Sequence, residues 1–151
     1  MVCSHDLRVR HALSSDREFL FEARRAALRA YVEQTSGWVD AEQRVTADKE
    51  FADLPFAVVE ESGRPVGYVC VIHESVCDFI EEIALLPEAQ GRGIGTQLLR
   101  GILRAAQRRG VPVRLSVFVN NPAQTLYARL GFEVVRIEDP RMSMQWTPGN
   151  A

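Results

Sequence analysis

At 151 residues, with 46% hydrophobic and 25% charged residues, the chain is long enough to bury a core without disulfides or metal and is composed unlike a disordered or membrane protein. A formal charge of −2 gives no electrostatic case for nucleic acid or an anionic membrane as the main partner. Cys3, Cys70 and Cys77 fit neither a disulfide framework nor zinc spacing, and MVCSHDLRVRH lacks a signal peptide's apolar run, so a soluble protein in a reduced, cytoplasmic setting is expected.

In chain order, LRVRH (7–11) alternates apolar with polar residues and predicts a first strand. Ser15 and Asp16 are N-cap candidates for a helix through DREFLFEARRAALRAYV, where Phe19, Leu20, Ala23, Ala27, Leu28 and Tyr31 recur at helical spacing. A second, more polar helix is expected after Gly37-Trp38, around Asp40 to Phe51. FAVVE and PVGYVCVIH, joined by Glu61-Ser62-Gly63-Arg64, read as a hairpin. DFIEEIALL predicts another strand, stopped by Pro87, which cannot donate to a ladder.

Ile94, Leu98, Leu99, Ile102, Leu103 and Ala106 then form the apolar stripe of a helix ending at Gly110. VPVRLSVFV is a buried-type strand, PAQTLYARL a short helix opened by Asn120-Asn121-Pro122, and FEVVRI and RMSMQW are two closing strands. No repeat, low-complexity tract or long linker divides the chain, so the expectation is one mixed α/β domain over 1–151, built around a single sheet. His5, His11 and His73 are scattered and bring no acidic or thiol ligands into metal spacing, so no metal is expected.

QGRGIGT (90–96) places three glycines in five residues between a strand and a helix. Glycines at a helix start expose backbone N–H groups where the helix dipole adds about half a positive charge, an arrangement suited to phosphate oxygens. Arg92 between them is a candidate for a charge-assisted contact; the alternative is a merely structural turn. A dinucleotide-binding reading fails because Thr96 stands at the third glycine position, the unit lies late in the chain, and no carboxylate follows near Leu115. A P-loop needs Gly-Lys-Ser/Thr, and the one lysine is Lys49.

Gln90-Gly91-Arg92-Gly93-Ile94-Gly95 resembles the Q/R-x-x-G-x-G/A signature of the GNAT superfamily of acyl-CoA-dependent N-acetyltransferases. EIALLP stands before it and TQLLRGIL after it, and VRLSVFVNNPAQTLYARLGFEVV resembles the same family's second block of Asn, Ala, Leu-Tyr and Leu-Gly-Phe. The resemblance covers roughly Leu7 to Trp146. It implies the order strand, two helices, three strands, helix, strand, helix, two strands, with helices on both faces of one central sheet. It also implies transfer of an acetyl group from acetyl-CoA to a primary amine by direct attack in a ternary complex.

Such a transfer must hold both reactants, take a proton from the ammonium, stabilise an oxyanion and protonate a leaving thiolate. By resemblance, Gln90, Gly91, Arg92, Gly93, Ile94, Gly95 and Thr96 hold the pyrophosphate of CoA, while Leu85 and Leu86 at the strand end pair with the pantetheine arm and the amide near Leu85 faces the thioester oxygen. Tyr127 stands where the family places its general acid, and a phenol titrating near 10 is a suitable proton source for a thiolate; the alternative is a ring that fills space beside Leu130 and Phe132. Asn120 matches the family's asparagine beside the pantetheine; its alternative is the N-cap of the next helix, a job that Asn121 also fits.

Glu81 and Glu82 are adjacent on a strand and point to opposite faces. Because EIALLP resembles related sequences that carry Glu there, the resemblance implies Glu82 as the preferred base, with Glu81 or a water chain as alternatives. In the resembling family the first helices wall the amine side, and there Tyr31 and Trp38 are candidates to stack on an acceptor and Arg25, with Arg24 and Arg29, to bind a carboxylate. Glu33 and Asp40 would equally attract a cation, so a small-molecule and a peptide amine both remain open, as does a homodimer. A fold of this kind that binds acyl-CoA without turnover, as a sensor or scaffold, is the alternative function.

Overall fold

The alternating LRVRH segment becomes strand β1 (Leu7–His11), and after one 3-10 turn (Ser14–Asp16) the chain enters α1 (Arg17–Glu33) and α2 (Asp40–Asp53). Strands β2 (Phe56–Glu61), β3 (Arg64–His73) and β4 (Asp78–Leu85) lead through a second 3-10 turn (Pro87–Ala89) into α3 (Ile94–Arg109), followed by β5 (Val113–Phe118), α4 (Ala123–Arg129), β6 (Glu133–Glu138) and β7 (Arg141–Trp146). This computed structural model describes residues 5–149, so Cys3 lies outside the described residues. The strands hydrogen-bond in the order β1-β2-β3-β4-β5-β7-β6. The β4–β5 pair is parallel, and the pairs β1–β2, β2–β3, β5–β7 and β6–β7 are antiparallel, giving the expected mixed α/β sheet.

By contacts the chain divides into two compact units, 1–70 with 82–94 and 71–81 with 95–151. In the first, the β2–β3 turn is built on Ser62 at φ 51 and Gly63 at φ 83, the pair of left-handed conformations that a two-residue hairpin turn demands. Its core gathers Leu20, Phe21 and Ala23 of α1, Phe56 and Val58 of β2, and Tyr68 and Cys70 of β3. Phe56 stacks on Tyr68 at 5.6 Å between ring centres and meets Phe51 edge-on at 4.8 Å. Tyr68 is fully buried, so its hydroxyl must find a partner inside the fold.

In the second unit, β4 pairs with β5 through Asp78–Val113, Phe79–Arg114 and Ile80–Leu115. Ile80, Leu99, Leu103, Val113, Leu115 and Met144 form the centre of its core. Helix α3 ends as its sequence dictates: Gly110 takes φ 70, its N–H reaches the Gln107 carbonyl at 3.2 Å, and the Val111 N–H reaches that of Ala106 at 3.1 Å, a Schellman closure. Asp78 is 1% exposed and is satisfied by His73 Nδ1 at 2.8 Å and by Arg109, whose Nη2 also donates to the Glu74 carbonyl at 3.1 Å. That clasp accounts for a buried carboxylate on the first residue of β4.

Candidate active site

The glycine junction begins where β4 stops. The Gln90 side chain turns back and donates from Nε2 to the Leu85 carbonyl at 3.0 Å, bracing the 3-10 turn. Gly91 at φ 73 and Gly93 at φ 86 then occupy the left-handed region that side chains disfavour. A Cβ at Gly91 meets nothing within 4 Å, and at Gly93 its nearest neighbour is His5 Nε2 at 4.0 Å, so the main chain is open to close approach. Ile94, wholly buried, anchors the first turn of α3, whose leading amides have no partner within the helix. Open backbone amides at a helix start are what a diphosphate requires, so these residues fit the expected CoA site.

Arg92 does not project a spare cation from this junction. Its Nη1 and Nη2 grip Glu61 Oε1 and Oε2, each at 3.0 Å. His5 joins them, Nδ1 to Glu61 Oε2 at 2.7 Å and Nε2 to the Arg92 carbonyl at 2.6 Å. The hydrogen bond from Arg92, and after it that from His5, holds the Glu61 carboxyl below the usual carboxylate range against its desolvation. Nothing in the sequence linked these three positions, because their partners lie 31 to 87 residues apart.

Glu82 and Glu81 part to opposite faces of β4 as strand geometry requires, Glu81 exposed and the Glu82 side chain 15% exposed. The Glu82 carboxylate accepts from Arg24 Nε at 3.1 Å, from Arg24 Nη2 at 2.5 Å and from the Tyr68 hydroxyl. Arg24 Nη2 also reaches Glu50 at 2.8 Å, and its guanidinium lies 4.7 Å from the centre of the Phe51 ring. Burial, and then the neighbouring Glu82 charge, pushes the Tyr68 phenol well above its ordinary value, so it serves as a neutral donor. One guanidinium therefore faces two carboxylates, leaving an excess of negative charge.

Two positions missed by sequence reasoning support Glu82 and the strand end. Tyr68 is one. Gly67 is the other: a Cβ there would collide with the Ala84 carbonyl oxygen and come within 3.0 Å of the Leu85 Cα, so only glycine lets β3 approach the strand end. The signal for it was a lone glycine inside an otherwise apolar strand, PVGYVCVIH.

In the second unit, the cap of α4 falls to Asn121, whose Oδ1 accepts from the Ala123 N–H at 2.9 Å, while Asn120 is exposed just before it. Tyr127 is 7% exposed, sits edge-on to Phe132 at 5.7 Å, and has its phenol pushed up to about 12 by burial. Packing and a protonated hydroxyl are thus both present in one residue.

Of the expected acceptor residues, Tyr31 is half-buried on α1, and Trp38 stands between α1 and α2 with its Nε1 donating to Asp40 at 2.5 Å. Arg25 pairs with Asp40 at 2.7 Å and with Glu22, and Arg29 with Glu33 at 2.7 Å. The three arginines read together as a carboxylate-binding group are each engaged by carboxylates of the chain itself, and Arg24 lies in the core. Among the described residues no group of three His, Cys, Asp or Glu is placed to hold a metal ion, and no helix is long and apolar enough to cross a membrane.

The sequence profile of the Acetyltransferase (GNAT) family matches residues 17–132. An uncharacterized N-acetyltransferase of Methanocaldococcus jannaschii is 40% identical over 87 residues, which are 52% of this chain and 38% of that protein, so the match spans well under half of the relative's length. Among solved structures, the paia N-acetyltransferase of Thermoplasma acidophilum, in complex with coenzyme A, superposes with a TM-score of 0.74 at 16% identity over 93% of this chain and 98% of that one. The ribosomal-protein-S18-alanine N-acetyltransferase of Escherichia coli gives 0.69 at 18% identity over 96% of each chain. At such identities the two structures establish likeness of fold.

Proposed function

The chain belongs to the GNAT acetyltransferase family, and from that premise we infer that it transfers an acetyl group from acetyl-CoA to a primary amine by direct attack. When bound, acetyl-CoA supplies an activated thioester carbonyl. The single observation that carries the reading is the pair of left-handed glycines, Gly91 and Gly93, opening onto the start of α3. In this reading Gln90 to Thr96 bind the diphosphate through main-chain amides, and Leu85 and Leu86 hold the pantetheine arm. The Leu85 amide donates where negative charge develops on the carbonyl oxygen. Asn120 contributes to the pantetheine side.

Three bonds from Arg24 and Tyr68 leave the Glu82 carboxylate about one accepting site. We assign that site to the incoming amine, which Glu82 orients and relieves of a proton directly or through water. Tyr127, protonated across the ordinary pH range, gives its proton to the departing thiolate. The excess negative charge around Arg24 favours a cationic acceptor, a small-molecule or peptide amine, against the wall of α1 and α2 that carries Tyr31, Trp38 and Arg25. Calorimetry of the full chain with CoA, followed by free-thiol release from acetyl-CoA with a panel of amines, tests this. Saturable binding and acceptor-dependent release are expected; no affinity for CoA overturns the reading, and binding without release across the panel replaces the enzyme with an acyl-CoA sensor.

A further inference from the structure

His5 and Glu61 are tied to the one residue that stands between the two left-handed glycines. The imidazole bridges the Glu61 carboxylate at 2.7 Å and the Arg92 carbonyl at 2.6 Å, while Glu61 grips the Arg92 guanidinium through both its oxygens at 3.0 Å. The ring is closed: His5 holds the main chain of Arg92, Glu61 holds its side chain, and Glu61 holds His5. Both atoms facing the imidazole are acceptors, and the Arg92 carbonyl is held by an Nε2–H donor. The His5 and Glu61 side chains are 11% and 18% exposed, against 45% for Arg92, so the two anchors sit below the residue they hold.

What this fixes is a peptide plane. In a planar trans peptide the carbonyl oxygen and the following N–H point in opposite directions. With the Arg92 carbonyl drawn onto His5, the Gly93 N–H is turned to the side away from His5. A glycine pair without such a tie samples many orientations, and ordering them on binding costs roughly 1 to 2 kcal/mol per residue.

We propose that His5 and Glu61 are positioning residues for CoA, clamping the Arg92–Gly93 peptide so that the Gly93 N–H is already aimed at the diphosphate before it arrives. The inference rests on reading the glycine junction as the CoA site. It also gives Arg92 a role that its composition did not suggest: its guanidinium serves Glu61, and its carbonyl is the handle.

The test uses His5→Leu, which keeps bulk and removes both ring nitrogens, and His5→Gln, which restores a donor near the Nε2 position. Calorimetry with CoA should show affinity about tenfold weaker in His5→Leu, as for loss of one hydrogen bond to the main chain, and largely recovered in His5→Gln. The KM for acetyl-CoA should follow that pattern while kcat does not. In the unliganded protein the Gly93 backbone amide, followed by 15N relaxation, should have an order parameter that falls from about 0.85 in wild type towards about 0.6 in His5→Leu. Wild-type affinity in His5→Leu, an equal loss in both variants, or an unchanged Gly93 order parameter overturns the proposal. A His5→Leu chain that does not fold also overturns it, by making the role structural. If wild type itself binds no CoA, the reading of the junction fails, and the Gly93 order parameter alone decides whether His5 orders the peptide.

Discussion

Arg24 reaches Glu82 across 58 residues of sequence through two hydrogen bonds, from Nε at 3.1 Å and from Nη2 at 2.5 Å. Arg24 is 5% exposed, so the pair is desolvated, and the guanidinium and the Tyr68 hydroxyl surround the Glu82 carboxyl inside the fold. Replacement by Arg24→Met strands the carboxylate with Tyr68 as its remaining donor in this cluster. Urea unfolding should then report a loss of about 3 to 5 kcal/mol, the usual cost of breaking a buried pair from one side. A loss below about 1 kcal/mol would mean that the cluster is far wetter than its burial implies.

Arg24 also marks the limit of what the sequence discloses. The period of α1 identified Leu20 and Ala23 as inward-facing, and the structure buries both. The same period puts Arg24 on that face, yet an arginine next to Arg25 and near Arg29 reads as part of a basic surface, because burial becomes tolerable only through Glu50 and Glu82, 26 and 58 residues away. Features set by neighbouring residues were legible: the Ser62-Gly63 turn, the Gly110 stop, the α4 cap at Asn121 and the glycine junction. Features set by distant partners, His5 on the Arg92 carbonyl and Tyr68 on Glu82, were not.

Gly67 should tolerate no side chain. Its missing Cβ is the space into which the Ala84 carbonyl and Leu85 pack, and backbone cannot swing aside as a flexible side chain does. Gly67→Ala is expected to cost about 2 to 3 kcal/mol in chemical denaturation and, by moving the Leu85 main chain, to lower kcat for acetyl transfer more than it raises the KM for the amine. Stability within about 0.5 kcal/mol of wild type would show that β3 and β4 have slack at this point.

Tyr127 carries a pH signature. Burial pushes its phenol up to about 12 in the folded chain, against about 10 when unfolded. The folded state holds the proton more tightly, so this contribution to stability is complete below pH ~10 and is lost as pH rises towards ~12, roughly 2 to 3 kcal/mol in all. Tyr68, raised by its own burial, acts in the same sense. Urea unfolding at pH ~9 and ~11 should therefore show a steeper fall for wild type than for Tyr127→Phe, by about 1 kcal/mol. Equal falls would show that the ring does not titrate late. In the acetyl-transfer assay the same variant should lose turnover while keeping its affinity for CoA; equal loss of both would leave Tyr127 as packing beside Phe132.

Gly93→Asp separates binding from folding at the glycine junction. Aspartate is among the side chains that best tolerate the left-handed region, and a Cβ there meets its nearest atom, His5 Nε2, only at 4.0 Å. The conformational cost should thus stay near 1 to 2 kcal/mol, leaving a folded protein with a slightly lower Tm. The new carboxylate, by contrast, stands beside the amides that face the diphosphate, where like charge and lost access act together. CoA affinity by calorimetry should fall by at least about tenfold, and high salt should return part of it by screening the repulsion. If affinity is retained in the folded variant, the diphosphate is not held at Gly93; if the loss is unchanged by salt, crowding of the main chain, rather than charge, is what excludes it.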